Sequence, residues 1–206
     1  MVMISDSDIP FRLIVAAELI AMVMVRDYHL FFRSRESIRD HFRRSQEPTL
    51  LTAALGALAL VHFGALIIFI ANPASLNWSA FEAPQPVRWA GILISAASAA
   101  GEVWALISLG TNYNPLLRVG ETQVLVTSGP YRWVRHPLYS FALPMMVGWG
   151  FATQNRLIIA SGILLGASVM IFRVPREEAM MVEAFGKSYR DYATRTRRFI
   201  PRVRGR

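Results

Sequence analysis

The segment Gly129-Pro-Tyr-Arg-Trp-Val-Arg-His-Pro-Leu-Tyr139 crowds two arginines, a histidine, two prolines and two tyrosines between stretches of strongly apolar sequence. A second polar cluster, Arg173-Val-Pro-Arg-Glu-Glu178, closes the next long apolar run, with Phe185-Gly186, Tyr189 and Tyr192 beyond it. Together the clusters predict an enzyme site where membrane meets cytosol. Gly129-Pro130 is a turn signal, and Pro137 pushes His136 out of helical conformation and can open the following helix. The first-turn amides of that helix would seat a carboxylate, with His136 as a further hydrogen-bond donor. Arg173 and Glu177, four residues apart, share a helix face. Two uses fit such a pair. It is a salt bridge at a helix end, or it divides labour: the guanidinium grips an anionic group bidentately while the carboxylate takes a hydroxyl or ammonium.

These clusters need a frame, and the composition supplies one. With 53% hydrophobic and 17% charged residues in 206, the chain is more apolar than soluble domains, where charged residues run at about 25%. It reads as an all-α integral membrane protein, one embedded domain over residues 1–206. A crossing helix needs about 20 mainly apolar residues, and five segments qualify or nearly do: 9–32, 49–71, 87–109, 138–153 and 157–172. The last two are short and joined by Gln154-Asn155-Arg156, so they read as a helical hairpin. Asp6 and Asp8 precede the first apolar segment, which makes it a retained anchor and not a cleaved signal.

Alternate loops differ sharply in charge. Residues 33–48 carry five Lys/Arg, 111–137 three and 173–206 ten, which is eighteen of the 22 in the chain. The positive-inside bias places the N-terminus outside and the C-terminal segment 173–206 in the cytoplasm, so both polar clusters fall on the cytoplasmic side. The net charge of +8 is thereby explained by topology and by contact with anionic membrane lipids, and nucleic acid is not an expected partner. Without cysteine, disulfides, thiolate metal sites and thiol nucleophiles are excluded.

Within the spans, Gly91, Ser95, Ser98 and Gly101, and Gly162 with Gly166, have the small-residue spacing that lets helix backbones approach. Glu18 and Glu102 are costly at membrane depth and should face the bundle, either as hydrogen-bonded structural groups or in a substrate cavity. His62, alone on the second span, reads as a packed neutral histidine.

The run Leu125-Val-Thr-Ser-Gly-Pro-Tyr-Arg-Trp-Val-Arg-His-Pro-Leu-Tyr139, then Arg173, Glu177-Glu178, Phe185-Gly186, Tyr189, Tyr192 and Ile200-Pro201, resembles the isoprenylcysteine carboxyl methyltransferase family; the related membrane phospholipid methyltransferases share much of it. The likeness covers roughly residues 104–201, opening with Ser108-Leu-Gly-Thr-Asn-Tyr-Asn-Pro115; the first two spans show only hydropathy. It implies a methyltransferase core without a Rossmann domain, consistent with the absence of a strand-GxGxxG-helix unit. That core would bind S-adenosyl-L-methionine facing the cytosol and admit a lipid-like or prenylated acceptor from the bilayer. Position by position, the resemblance assigns cofactor contacts to Gln123, Val124, Leu125, Val126, Tyr131, His136, Pro137, Leu138, Tyr139 and Glu177. Glu178 completes the double-Glu motif, and Arg173 matches the arginine facing the acceptor carboxylate. Arg118 stands where animal enzymes carry a glutamine.

Methyl transfer from a sulfonium needs in-line placement and exclusion of water. An ionised carboxylate acceptor needs no general base, whereas an amine must first lose a proton. This favours carboxylate chemistry, with phospholipid N-methylation, an NADPH-dependent sterol-type reductase and a non-enzymatic scaffold as the alternatives. Small size and the lack of lysine-rich targeting point to a bacterial inner membrane.

Overall fold

The computed structural model describes residues 8–29, 49–113 and 123–202. Arg118, the basic segment 33–48 and residues 30–32 of the first predicted span lie outside the described residues. The described chain is all-helical, with β-type pairing limited to the isolated bridges Ala80 to Asn155 and Val134 to Arg197.

Helix α1 is Ile9–Asp27, α2 Thr49–Ala71, α3 Gln85–Leu109, α4 Pro137–Ala152, α5 Arg156–Ser168 and α6 Val174–Arg195. The described residues of the five predicted segments lie on helices, Thr153 at the end of the fourth excepted. Three stretches are long and apolar enough to cross a membrane: Thr49–Ala71, Gln85–Asn112 and the helical rod Arg156–Arg195, kinked at Gly186, where φ is 53° and ψ −122°. Helix α1 carries Arg12, Glu18, Arg26 and Asp27, and α4 has 16 residues, which is why these two fall short.

Proline and glycine set the boundaries. Pro10, Pro86 and Pro137 sit in the first turns of α1, α3 and α4, where a missing N–H costs nothing. Gly110, with φ 56°, follows α3. In the hairpin, Gln154 takes φ 51°, and the Asn155 carboxamide caps α5 by accepting from the Ile158 amide at 3.2 Å. The fifth apolar run does not end its helix. A π-helical turn, Val169–Arg173, joins α5 to α6, and the Val174 amide donates to Val169 O. Pro175 lacks the N–H that an α-turn would use, and the wider turn takes up the misfit. Helix α6 carries eight charged residues, so the apolar part of the rod stops near Phe172.

The core lies between α1 to α5. Phe11, Val15, Leu66, Ile158 and Trp149 are buried at its centre. Glu18 is structural: its Oε2 accepts from Ser95 Oγ of α3 and Trp149 Nε1 of α4, both at 2.7 Å, tying three helices together. His62 is buried, within 3.1 Å of Ser161 Oγ and stacked on Trp149, as a packed histidine should be. The small residues serve packing inside the bundle. A Cβ on Gly91 would lie 2.6 Å from Gly148 O, and one on Gly148 2.6 Å from Gly91 O. Helices α3 and α4 thus cross at backbone contact and hold the ends of both beside α6.

Candidate active site

The site forms where α3, α4 and α6 meet. Gly129 has φ +58°, and a Cβ there would lie 2.3 Å from Ser108 Oγ, so glycine is required both by conformation and by space. The 3-10 turn Gly129–Arg132 brings the chain to His136, at φ −124° and ψ 60°, and Pro137 opens α4 directly after it. The C-terminal segment fixes this backbone from outside. Arg135 N–H donates to Arg197 O at 2.7 Å and His136 N–H to Arg198 O at 3.0 Å, while Ser140 Oγ donates to Phe199 O at 2.8 Å.

With its backbone held, the His136 ring reaches both members of the double-Glu motif. Nδ1 lies 3.6 Å from Glu177 Oε1 and Nε2 lies 3.2 Å from Glu178 Oε1. Tyr139, stacked on His136 at 5.8 Å, donates from its hydroxyl to Glu177 Oε2 at 2.9 Å. Arg135 and Arg198 clamp Glu178 at 2.8 Å and 2.7 Å.

The cavity beside these groups has a volume of about 210 Å³. Ten of the twelve residues that the resemblance assigns to the site line it: Gln123, Val124, Leu125, Val126, Tyr131, His136, Leu138, Tyr139, Arg173 and Glu177. Pro137 is buried at the start of α4 and Glu178 lies behind His136; neither is among the lining residues. Asn112, within the opening motif, holds the 123–126 wall by accepting from Val124 N–H at 2.7 Å and, through its carbonyl, from Gln123 Nε2 at 3.2 Å.

Sequence reasoning missed several lining residues. Met180 and Met181 follow Glu177 by three and four positions, a spacing that places them on its face of α6. Tyr189 and Tyr192, which the sequence motif carried without a role, both line the cavity; Tyr192 donates to Tyr131 O at 2.6 Å, and the buried Tyr189 hydroxyl has no hydrogen-bond partner among the described residues. Arg26 and Tyr113 also line it. For Arg26 the available signal was a charge inside an apolar span.

Burial alone would discharge His136 and neutralise the two glutamates, but the cluster reverses each tendency. Desolvation opposes the His136 cation, and hydrogen bonds and charge from Glu177 and Glu178 outweigh it, raising its pKa above the usual 6.5. Desolvation likewise opposes ionised Glu177, and His136, Tyr139 and Arg173 nevertheless hold its pKa below 4.5. For Glu178, burial is overcome by His136, Arg198 and Arg135, and the pKa falls to about 2. The wall therefore presents an ionised carboxylate, Glu177, in the same cavity as the Arg173 guanidinium, with aromatic and aliphatic surface between. Among the described residues no group of three His, Cys, Asp or Glu is placed to hold a metal ion.

A pH test follows. The depressed Glu178 pKa contributes stability that is present above 4.5 and lost as pH falls towards 2; the raised His136 pKa contributes stability present below 6.5 and lost as pH rises through the raised value. Glu178→Gln is expected to cost on the order of 1–2 kcal/mol, solvent screening included. The loss in Tm in detergent should be largest between pH 4.5 and 6.5 and shrink on either side. A constant loss across that range would separate Glu178 from the titrating cluster.

The fold is thus a helical bundle, three of whose stretches are long and apolar enough to cross a membrane, with a cavity walled by an arginine, an ionised glutamate and aromatic rings where α3, α4 and α6 meet. The family described as phospholipid methyltransferase matches residues 87–188. Protein-S-isoprenylcysteine O-methyltransferase of Tribolium castaneum is 32% identical over 132 residues, covering 61% of this chain and 46% of the relative. The cobalt-zinc-cadmium resistance protein CzcN of Cupriavidus metallidurans is 30% identical over 113 residues, 55% of this chain and 48% of the relative. The solved structure of the eukaryotic intramembrane Ras methyltransferase, isoprenylcysteine carboxyl methyltransferase, superimposes with a TM-score of 0.51 at 25% identity, covering 77% of this chain and 55% of that one. The chain belongs to this family of membrane phospholipid and isoprenylcysteine carboxyl methyltransferases. It spans about half the length of these curated relatives.

Proposed function

We propose that the protein is an S-adenosyl-L-methionine-dependent methyltransferase acting on a membrane-resident acceptor, the carboxylate of a prenylated cysteine or an analogous lipid-borne carboxylate. The observation that carries this reading is the meeting of Arg173, Glu177, His136 and Tyr139 in one cavity. When bound, S-adenosyl-L-methionine supplies a methyl group on a sulfonium that already has a good leaving group. The protein's residues do the rest. Glu177, held ionised, takes a hydroxyl or ammonium of the donor, with His136 and Tyr139 fixing its carboxylate. The 123–126 wall, Tyr131, Leu138 and the methionines of α6 supply apolar surface, and the Tyr189 hydroxyl, without a partner among the described residues, offers a further polar contact. These groups suit a donor that carries an ammonium, hydroxyls and an aromatic base beside a cationic sulfur. Arg173 would grip the acceptor carboxylate bidentately and hold one ionised oxygen, which needs no base, in line with the donor's methyl group; the oxygen–carbon bond would form as the sulfur–carbon bond breaks and S-adenosylhomocysteine leaves. Residues 104–201 form the methyltransferase core in this reading. The N-terminus is outside, 173–206 are cytoplasmic, and the membrane is a bacterial inner membrane.

The amine alternative is tested in the same experiment. Membranes containing the protein, incubated with S-adenosyl-L-methionine labelled in the methyl group, are expected to yield lipid-extractable label that base releases as methanol. Label that survives base would instead assign an amine acceptor, and no lipid-extractable label would overturn the methyltransferase reading.

A further inference from the structure

The cavity does not stop at the helix ends. Glu102 lines it together with Arg173 and Glu177, yet lies seven residues before the end of α3, about 10 Å deeper at 1.5 Å per residue. Its side chain is fully buried. Arg26 of α1 donates to it through Nε at 2.9 Å and through a terminal guanidinium nitrogen, and both bonds converge on Oε1. Oε2 is buried and has no hydrogen-bond partner among the described residues. An arginine fork on a carboxylate frequently spreads over both oxygens; here one oxygen is left for a donor that the described residues do not supply. The other intramembrane glutamate marks the contrast, since Glu18 Oε2 receives two donors. Arg26, Glu102, Tyr113 and Arg173 line one cavity, which places the deep oxygen and the Arg173 guanidinium in the same chamber.

A buried carboxylate oxygen already paired on its other side selects an N–H or O–H group and disfavours an apolar one, which would leave it unsatisfied. We propose that Glu102 is a specificity-determining residue: its free oxygen accepts a hydrogen bond from an N–H or O–H borne next to the reacting carboxylate, so that the site selects an α-amido or α-amino carboxylate headgroup over a bare one. This rests on the carboxylate reading above. Arg173 and Glu102 would then hold the acceptor at two points, and Arg26 positions Glu102.

The test compares N-acetyl-S-prenylcysteine with S-prenyl-3-mercaptopropionate, which differs only in lacking the acetamido group. Binding to the purified full chain in detergent is followed by thermal shift, and turnover by methyl transfer. The expected result is a preference of about tenfold or more for the acetamido lipid. That preference should be lost in Glu102→Gln and in the charge-free pair Arg26→Met/Glu102→Leu, the latter guarding against an unpaired buried arginine. In both variants the ratio of the two lipid affinities should approach one, with the protein still folded by its melting curve. Equal binding of the two lipids by the wild type, no binding of either, or a preference that survives in the double variant overturns the proposal. A binding preference that follows Glu102 without any turnover would sink the methylation reading and leave this one standing.

Discussion

Glu177→Ala is expected to abolish binding of S-adenosylhomocysteine by the purified protein, a loss of more than about 100-fold in affinity. The carboxylate is held ionised in the cavity by His136, Tyr139 and Arg173, and an ammonium or hydroxyl bonded to it would be charge-assisted and shielded from water. Removing it deletes that bond and the anchor of the Tyr139 hydroxyl together. The fold should survive, because His136 keeps its contact with Glu178 at 3.2 Å and its backbone bond to Arg198 O. Calorimetric titration read beside a melting curve checks both parts. Retained binding at near wild-type affinity would move the donor site away from Glu177.

Arg173→Ala has the complementary signature. Acceptor kcat/KM is expected to fall by about 10²–10³, the scale of losing a charged clamp and the orientation it imposes, while affinity for S-adenosylhomocysteine changes by no more than a few-fold. Arg173→Lys should recover only part of the loss, since an ammonium cannot hold a carboxylate with two parallel bonds. Arg173 ends the π-helical turn, so the residue that would hold the acceptor is the one at which the rod from the membrane turns into the charged helix. Equal damage to donor binding and to turnover would instead make Arg173 part of the donor site.

Much of this arrangement was legible in the residues, and the remainder had physical reasons not to be. The span predicted over 49–71 coincides with α2, Thr49–Ala71, because it holds no charged residue and ends before Asn72-Pro73. The apolar run predicted over 157–172 passes into a further helix, as the shared face of Arg173 and Glu177 requires, and that helix reaches Arg195 past a kink at Gly186: hydropathy marks where the hydrocarbon ends, not where the helix does, and the π turn before Pro175 has no side-chain pattern of its own. The adjacency of His136 and Glu177 came from the order of family motifs and not from any local periodicity. The pairing of residues 135–136 with 197–198 runs through backbone amides and was invisible for that reason. Glu18 and Glu102 look alike in the sequence; only their neighbours separate a structural tie from a cavity wall.

The central claim is that one cavity at the end of the bundle holds a methyl donor beside a lipid-borne carboxylate. A structure determined with S-adenosylhomocysteine bound tests it most directly. The expected density lies within hydrogen-bonding reach of Glu177 and His136, with the sulfur directed towards the space between Arg173 and Glu102. Density elsewhere on the protein, or a saturated complex in which Glu177 and His136 touch no ligand atom, would contradict it.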